Sequence, residues 1–385
     1  MRIALVISAL SAGGAERVIV TLANCWAARG WRVTLMTFEP PGTMPYYAVD
    51  PRVDLRQLGI VSVGSPLWLA IRQSVRRIRA LRQALRAADP DLAIAFLAKI
   101  NVLTVLASRG LGFPLVVSER NNPERQRFRA SWSWLRQRLY GLAYCVVTPS
   151  RGVLESFSGA IRERGRVIPN PVDLAQVASP TRGSGRLVAV GRLVHQKGFD
   201  LLLQAFARIA PEHPDWSLTI WGEGDQRAAL EALVADLGLA GRVGLPGVTE
   251  RPGQWVEAAD VFVLSSRYES FGNVITEAMA AGLPVVAFDC PWGPGDILRD
   301  GEDGLLVPPE DIDALAAAMR RLILDADLRA RLGAAAVHNV RRFAREAILA
   351  QWDALVVEAT GPRNATRPAA RPFDETTTAP TPTAR

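Results

Sequence analysis

Two carboxylates in the sequence, Glu269 and Glu277, lie eight residues apart on either side of a predicted helix start. The apolar run 261–264 is typical of a short buried strand, and a polar loop leads from it into a helix that we predict from about Asn273 to Ala281. Backbone N–H groups at such a helix start commonly bind a phosphate. Along the chain, the first carboxylate, the anion-binding helix start and the second carboxylate come in the order of the sugar, the diphosphate and the ribose of a sugar nucleotide. Each carboxylate could accept hydrogen bonds from hydroxyl groups. A plainer alternative leaves both glutamates solvated and the helix merely packed on its sheet.

Two cations follow another predicted strand, 187–190, in the loop from Gly191 to Gly198. Arg192 and Lys197 in this strand-to-helix loop could hold two phosphate oxygens, or they could be exposed cations on a surface loop. Lysine is rare, since Lys99 and Lys197 stand against 43 arginines. A compact ammonium at position 197 is therefore a mild indication of a specific role.

The N-terminal half begins with a strand, a glycine-rich turn and a helix. Residues 2–7 form an apolar run, Gly13 and Gly14 follow in a turn, and residues 18–29 repeat apolar side chains at helical spacing. A further strand over 31–38 completes an alternation that predicts a parallel, doubly wound α/β sheet. The dinucleotide fingerprint Gly-x-Gly-x-x-Gly is missing from this turn. Its glycines either bring backbone N–H groups to a diphosphate or only allow a tight turn.

The chain of 385 residues is long enough for two domains. We predict an N-terminal Rossmann-like domain over 1–172 and a C-terminal Rossmann-like domain over 186–344, joined by a Ser-, Gly- and Pro-rich linker. Residues 361–385 are rich in Pro, Thr and Ala and are predicted to be disordered. The Asp-x-Asp pairs at 311–313 and 325–327 fall at helix ends, where aspartate caps are common, so we expect no metal cofactor.

Charge is distributed unevenly along the chain. Residues 1–170 carry 24 Lys and Arg against 10 Asp and Glu, whereas residues 171–385 carry 21 against 28. This asymmetry suggests that the first half meets a polyanion, for which anionic lipid, a lipid diphosphate and nucleic acid are candidates. No uninterrupted apolar run reaches 18 residues, so no transmembrane helix is predicted. The three cysteines are far apart and fit a reducing cytosol.

Two arginine-rich segments, 67–88 and 120–138, stand out in the basic half. The first is a predicted amphipathic helix, and the second interleaves arginine with aromatic residues. The arginines could be solvated, or they could face anionic lipid, where each cation adds about 1 kcal/mol. The apolar stripe of the first segment consists of Ile71, Val75, Ile78, Leu81 and Leu85.

The stretch that starts at Glu269 resembles the signature of retaining, GT-B fold glycosyltransferases of family 4. It reads Glu, then Ser-Phe-Gly-Asn, then Glu-Ala-Met-Ala-Ala-Gly-Leu-Pro-Val-Val. Gly-Gly-Ala-Glu-Arg at 13–17 and Gly-Arg-Leu…Lys-Gly at 191–198 are also similar to motifs of that family. The resemblance implies two Rossmann-like, doubly wound parallel-sheet domains that face a cleft. It further implies that a C-terminal helix, 345–360, crosses back onto the first domain.

The same resemblance implies transfer of a hexose or N-acetylhexosamine from a UDP-sugar with retention. By analogy Glu277 binds the ribose and Glu269 the transferred sugar, and Glu269 forms the catalytic group together with Arg192 and Lys197. The mechanism needs neither a histidine base nor a metal, because the leaving diphosphate oxygen can take the acceptor proton. The donor-binding residues implied are Gly13, Gly14, Gly191, Val248, Phe271, Gly272, Asn273, Val274 and Glu277.

The acceptor is predicted from two loops that follow strands of the first domain. These loops resemble those of enzymes that extend undecaprenyl-diphosphate-linked glycans, so we expect a polyprenyl-diphosphate-linked or other membrane glycan as acceptor and no nucleic acid. The protein is then peripheral on the cytoplasmic face of the membrane. A sugar-nucleotide epimerase or hydrolase and a non-enzymatic polyanion-binding protein stay open as alternatives. The acceptor residues predicted are Lys99, Asn101, Glu119, Arg120 and Asn121.

Overall fold

The computed structural model of the protein describes residues 1–60, 67–121, 130–174, 183–251, 253–257 and 259–361. The predicted linker falls mostly outside these ranges, and so does the tail predicted to be disordered, apart from residue 361. The middle of the arginine-rich segment 120–138 also lies outside the described residues.

Seven parallel strands in the described part of the chain form the first sheet. They are β1 (Arg2–Val6), β2 (Arg32–Thr37), β3 (Asp54–Gln57), β4 (Leu92–Phe96), β5 (Leu115–Ser118), β6 (Cys145–Thr148) and β7 (Gly165–Val167). Their order across the sheet is β3-β2-β1-β4-β5-β6-β7. The central strands β1, β4, β5 and β6 are almost entirely buried, as expected for apolar strands covered on both faces.

The helices of the first domain cover the two faces of this sheet. They are α1 (Gly14–Ala28), α2 (Leu67–Ala88), α3 (Ala98–Ser108), α4 (Ala130–Tyr140), α5 (Arg151–Glu155) and α6 (Gly159–Arg162). Helix α1 packs on one face, whereas α2, α3 and α4 contribute to the core on the other.

The apolar stripe of α2 is buried along only half of its length. Leu81 and Leu85 are fully buried, but Ile71 is 58% exposed and Val75 is 39% exposed. The apolar stripe therefore contributes to the core only in the second half of α2.

Six parallel strands form the second sheet within the described ranges. They are β8 (Arg186–Val190), β9 (Ser217–Trp221), β10 (Val243–Gly247), β11 (Val261–Leu264), β12 (Val285–Phe288) and β13 (Leu305–Val307). They lie in the order β10-β9-β8-β11-β12-β13. The strands predicted at 187–190 and 261–264 are therefore confirmed to within one residue.

Seven α-helices follow in the described C-terminal half. They are α7 (Phe199–Ile209), α8 (Arg227–Asp236), α9 (Asn273–Ala280), α10 (Pro294–Ile297), α11 (Ile312–Leu324), α12 (Ala326–Asn339) and α13 (Arg345–Thr360). The predicted aspartate caps are confirmed, since Asp311 accepts from the N–H of Ala314 at 2.9 Å and Asp325 from that of Leu328 at 2.8 Å.

The last helix, α13, crosses back from the second domain to the first. Its Ile348 and Trp352 are fully buried in the core beneath the first sheet. The indole of Trp352 stacks on the ring of Phe96, with 6.1 Å between ring centroids. The predicted fold class, two doubly wound domains and a returning helix, is confirmed.

Each sheet has one topological switch point, where the order in which successive strands are added reverses. In the first sheet this point lies between β1 and β4, and in the second between β8 and β11. Loops that leave the carboxyl ends of such strands form the ligand crevice of open α/β sheets. The four loops concerned begin after Val6, Phe96, Val190 and Leu264, and they carry most of the residues singled out above.

Candidate active site

A lysine–glutamate pair lies at the topological switch point of the second sheet. Lys197 follows β8, Glu269 follows β11, and Lys197 Nζ is 2.6 Å from Glu269 Oε1. The same oxygen accepts a hydrogen bond from the hydroxyl of Ser266 at 2.7 Å. The side chain of Glu269 is only 8% exposed and that of Lys197 15%, so the pair is largely removed from water. Glu269 Oε2 has no hydrogen-bond partner among the described residues and can accept from a ligand.

The two loops that carry the pair are bonded to each other along their length. The hydroxyl of Ser265 donates to the carbonyl of Lys197 at 2.9 Å, and the N–H of Arg267 donates to the carbonyl of Gln196 at 2.8 Å. Gly198 has φ +61°, and a Cβ there would lie 2.0 Å from the carbonyl oxygen of Ser265. Glycine is therefore required for this close approach, which fixes the position of Lys197.

Helix α9 starts directly after this pair and presents unbonded N–H groups. Gly272 precedes the helix with φ +102°, and no side chain caps it. The N–H groups of Asn273 and Val274 donate to no residue in the described ranges, whereas that of Ile275 is bonded to the Gly272 carbonyl. Unbonded N–H groups at a helix start are able to bind a phosphate.

The first domain closes over this helix from the opposite side of the cleft. Gly14, at the start of α1, approaches so closely that a Cβ would lie 2.6 Å from Nδ2 of Asn273. One turn further along α9, Glu277 Oε1 is 2.5 Å from the guanidinium of Arg17. Glu277 Oε2 has no partner among the described residues. A ligand on α9 would thus lie between the two domains.

Arg192 also faces this cleft, and its side chain is exposed. Burial raises the pKa of Glu16 in the first turn of α1, and the charge of Arg192 acts in the opposite direction. The two groups must therefore be close enough to interact across the cleft. In the described part of the chain the Arg192 side chain forms no hydrogen bond or ion pair, so its charge is available to an anion.

The remaining predicted donor residues surround the same region, but not all of them offer side chains to it. Val248 follows β10 and is 61% exposed, while Val274 is partly buried. Gly191 lies against the methylene chain of Lys197, where a Cβ would be 3.1 Å from its carbons. The Phe271 side chain is buried in the core against Phe343, so it offers a ligand only its backbone.

The predicted acceptor residues separate into exposed and buried members. Lys99, in the first turn of α3, and Asn121 are exposed. Asn101, Glu119 and Arg120 are buried, with Arg120 the most accessible of the three at 5%. These three side chains form hydrogen bonds inside the protein. They can therefore influence an acceptor substrate only indirectly, through the residues that they hold in place.

The buried residues among the predicted acceptor residues form a hydrogen-bond network with Tyr140. The hydroxyl of Tyr140 donates to Glu119 at 2.8 Å and accepts from the amide of Asn101 at 2.8 Å. Burial raises the pKa of Glu119, and the hydrogen bond from Tyr140 opposes this effect. Burial also lowers the pKa of Arg120 to about 9, although its guanidinium lies over the rings of Phe96 and Trp352.

Several residues of this region were missed by sequence reasoning. Asn170 accepts from the guanidinium of Arg120 at 2.6 Å and donates to Asn273 of the other domain at 2.7 Å. A further contact across the domains was not predicted: the carboxylate of Asp296 accepts from the N–H of Arg151 at 3.2 Å. Arg17 belongs to the motif Gly-Gly-Ala-Glu-Arg at 13–17, but the sequence alone predicts no function for its side chain. Its position at the start of the helix that follows β1, three residues after Gly14, was the available signal.

The described residues contain no group of three or more His, Cys, Asp and Glu side chains arranged to hold a metal ion. Among them, no helix combines the length and the apolar character needed to cross a membrane.

Two Rossmann-like domains that meet over a cleft, joined by a helix that returns to the first, define the GT-B class of glycosyltransferases. Residues 12–176 match the model of Glycosyltransferase Family 4, and residues 178–338 match that of Glycosyl transferases group 1. The chain therefore belongs to glycosyltransferase family 4.

Among its relatives, the chain is 30% identical over 380 residues to an exopolysaccharide phosphotransferase of Streptomyces coelicolor, covering 91% of this chain and 40% of that protein. It is 27% identical over 363 residues to a Campylobacter jejuni α-1,4-N-acetyl-D-galactosaminyltransferase whose name specifies a diNAcBac-PP-undecaprenol-linked glycan, covering 93% and 99%. The Anabaena protein HepE, solved in complex with UDP and glucose, aligns with a TM-score of 0.76 and 22% identity over 92% and 99% of the two chains. At that identity the likeness concerns the fold.

Proposed function

We propose that this glycosyltransferase moves a hexose or N-acetylhexosamine from a UDP-sugar to a lipid-diphosphate-linked glycan, with retention of configuration. One observation carries the proposal. The Lys197–Glu269 pair, the unbonded N–H groups of α9 and Glu277 lie in sequence along one wall of the cleft. This arrangement offers a hydrogen-bond acceptor for the sugar, a site for the diphosphate and a hydrogen-bond acceptor for the ribose. The three groups follow one another in the order of the three parts of a nucleotide sugar.

The donor would lie along α9. Its diphosphate would take the N–H groups of Asn273 and Val274 and the cations of Lys197 and Arg192. Both carboxylates use one oxygen within the protein and have Oε2 open, which supports a hydroxyl contact by Glu277 with the ribose and by Glu269 with the sugar. The UDP and glucose bound by the Anabaena protein are consistent with this assignment.

In the reaction, the bond from the anomeric carbon to the diphosphate oxygen breaks. The acceptor oxygen forms its bond to the same carbon on the same face, and its proton passes to the departing diphosphate oxygen. Negative charge therefore grows on the diphosphate, where Lys197, Arg192 and the helix start stabilise it. We propose that these groups suffice without a metal ion.

The acceptor would enter from the first domain. Lys99 and Asn121 are exposed and could contact an acceptor diphosphate directly. Asn101, Glu119 and Arg120 would act by holding those loops in place. The undecaprenol-linked glycan named for the Campylobacter relative supports a lipid diphosphate as the acceptor class.

The test is a panel of UDP-sugars combined with polyprenyl-diphosphate-linked saccharides, with products read by mass and the new anomeric configuration by NMR. We expect one sugar to be added with the configuration it had in the donor. Consumption of donor without acceptor would favour the epimerase or hydrolase. If the protein neither turned over nor bound any nucleotide sugar while it bound RNA tightly, the polyanion-binding alternative would stand.

We also propose that the first turns of α2 contact an anionic membrane at the cytoplasmic face. Ile71 and Val75 are exposed on the same helix as the exposed Arg72, Arg76 and Arg79. The second arginine-rich segment contributes less than its sequence suggests, because two of its arginines, Arg120 and Arg136, are buried. In that segment Trp134 is exposed, the guanidinium of Arg138 lies over its ring, and this pair could still contact the membrane.

Sedimentation with vesicles tests this membrane contact. Replacing Arg72, Arg76 and Arg79 by Gln removes about 3 kcal/mol of attraction to vesicles that contain phosphatidylglycerol, or about a hundredfold in partitioning. The matched control replaces three exposed arginines of the acidic half, Arg251, Arg299 and Arg320. Equal sedimentation of the two variants would remove the membrane role of α2.

A further inference from the structure

An ion pair joins the two domains at the proposed ribose site. Arg17 lies in the first turn of α1 and Glu277 in the second turn of α9, 260 residues away in the sequence. Their side chains are 28% and 20% exposed, and the guanidinium contacts Oε1 of the carboxylate. The pair is thus more protected than the surface ion pairs of this protein, such as Arg2 with Asp89.

The pair does not consume the acceptor capacity of Glu277. A carboxylate has two oxygens and about four lone-pair positions, so it can bind a guanidinium and a hydroxyl at once. Oε2 has no partner among the described residues. Burial lowers the pKa of Arg17, but the charge and hydrogen bond of Glu277, together with the charges of Tyr47 and Asp173, leave that pKa raised.

A second contact joins the same two domains one turn earlier on α9. The amide of Asn170 donates to the side chain of Asn273, and Gly14 packs against that side chain. The first domain therefore touches α9 at both its first and its second turn. These are the turns that would hold the diphosphate and the ribose of the donor.

We propose that Arg17 is a positioning residue for donor binding, which orients Glu277 toward the ribose and couples binding of the nucleotide to closure of the cleft. The inference rests on the proposed donor site. A protein whose binding-competent state is less populated binds its ligand more weakly in proportion. Loss of Arg17 lowers the closed population and frees the Glu277 carboxylate to rotate, and both effects weaken nucleotide binding.

Calorimetric titration with UDP tests the inference on the full chain. Arg17→Ala is expected to weaken UDP affinity roughly tenfold, within the usual range of coupling between sites. Arg17→Lys keeps the charge and is expected to recover part of the loss. Arg29→Ala is the matched control, because Arg29 also pairs from α1 but with Asp353, away from the cleft. Small-angle scattering should show a larger radius of gyration for ligand-free Arg17→Ala than for the control.

A double-mutant cycle with Glu277→Gln separates positioning from a merely structural role. If Arg17 acts through Glu277, the double variant binds UDP no more weakly than Glu277→Gln alone. Unchanged or tighter UDP binding by Arg17→Ala would overturn the inference while leaving the donor site intact, since tighter binding would mean that the ion pair competes with the ribose. Failure of the unmodified protein to bind UDP would instead refute the donor site itself, and the inference with it.

Discussion

Replacing Lys197 by methionine removes the cation of the proposed diphosphate site while keeping an unbranched side chain of similar length. In the structure the ammonium lies 2.6 Å from Glu269, in a pair whose side chains are 15% and 8% exposed. The substitution should therefore have two separable effects. One concerns the departing diphosphate, and the other concerns the carboxylate left behind.

The effect on catalysis follows from where charge develops. As the sugar–phosphate bond breaks, negative charge grows on an oxygen that Lys197 would contact. Removing one preorganised donor of this kind costs about 2.7–4 kcal/mol, or about 10²–10³ in kcat. Arg192 and the N–H groups of α9 remain, so we expect the loss to stay within that range.

The effect on stability follows from the burial of Glu269, which is 6% exposed. Without the ammonium, its carboxylate keeps only the hydroxyl of Ser266 on the bonded oxygen. Breaking a buried ion pair by removing one partner costs about 3–5 kcal/mol, and the residual exposure of this pair reduces that figure. The double variant Lys197→Met/Glu269→Gln removes the isolated charge, so it should regain most of the stability but none of the activity.

The assay compares kcat with the best UDP-sugar and the thermal midpoint for wild type, Lys197→Met, Glu269→Gln and the double variant. Activity of Lys197→Met within a few-fold of wild type would refute the diphosphate role of Lys197. Equal stability of Lys197→Met and the double variant would refute the description of Glu269 as a buried carboxylate that depends on its cation.

Three further predictions concern the cleft, the acceptor side and the returning helix. Gly14→Ala places a Cβ against Asn273 and should lower kcat/KM with little change in melting temperature, whereas Gly159→Ala, where a Cβ meets nothing within 4 Å, should leave kcat/KM unchanged. Glu119 has a raised pKa, so the folded state holds its proton above the ordinary value of 4.5 and stability falls as pH rises through that window. Glu119→Gln should flatten this part of the stability–pH curve, and an identical slope in the two proteins would contradict the assignment. Trp352→Ala should reduce the free energy of unfolding by about 3–5 kcal/mol in denaturant titrations, since the indole is fully buried; a loss below about 1 kcal/mol would mean that α13 contributes little to the first domain.

The elements that position the site could be predicted because each depends on local pattern. The buried strand 261–264, the loop after it and the helix from Asn273 are apolar and polar runs with a glycine at the end, and the structure has them within a residue. The aspartate caps at 311 and 325 follow from the same kind of local hydrogen bond. Parallel strands in turn require helical crossovers, so the doubly wound fold follows from the alternation of elements.

What could not be predicted depends on how the two domains meet. The contacts of Arg17 with Glu277 and of Asn170 with Asn273 join residues 260 and 103 positions apart, and no local pattern encodes them. Burial of polar residues was the other failure. Glu119 and Arg120 follow a strand in a loop, where side chains are usually exposed, but Tyr140 and Asn170 cover them with hydrogen bonds.

The proposed function depends on a nucleotide sugar that binds along α9 between the two domains. A crystal structure with a bound UDP-sugar tests this binding mode most directly. We expect diphosphate oxygens within hydrogen-bond distance of Lys197, Arg192 and the N–H groups of Asn273 and Val274, with the ribose on Glu277. A nucleotide bound elsewhere, or one that leaves the Lys197–Glu269 pair and the start of α9 without contact, would contradict it.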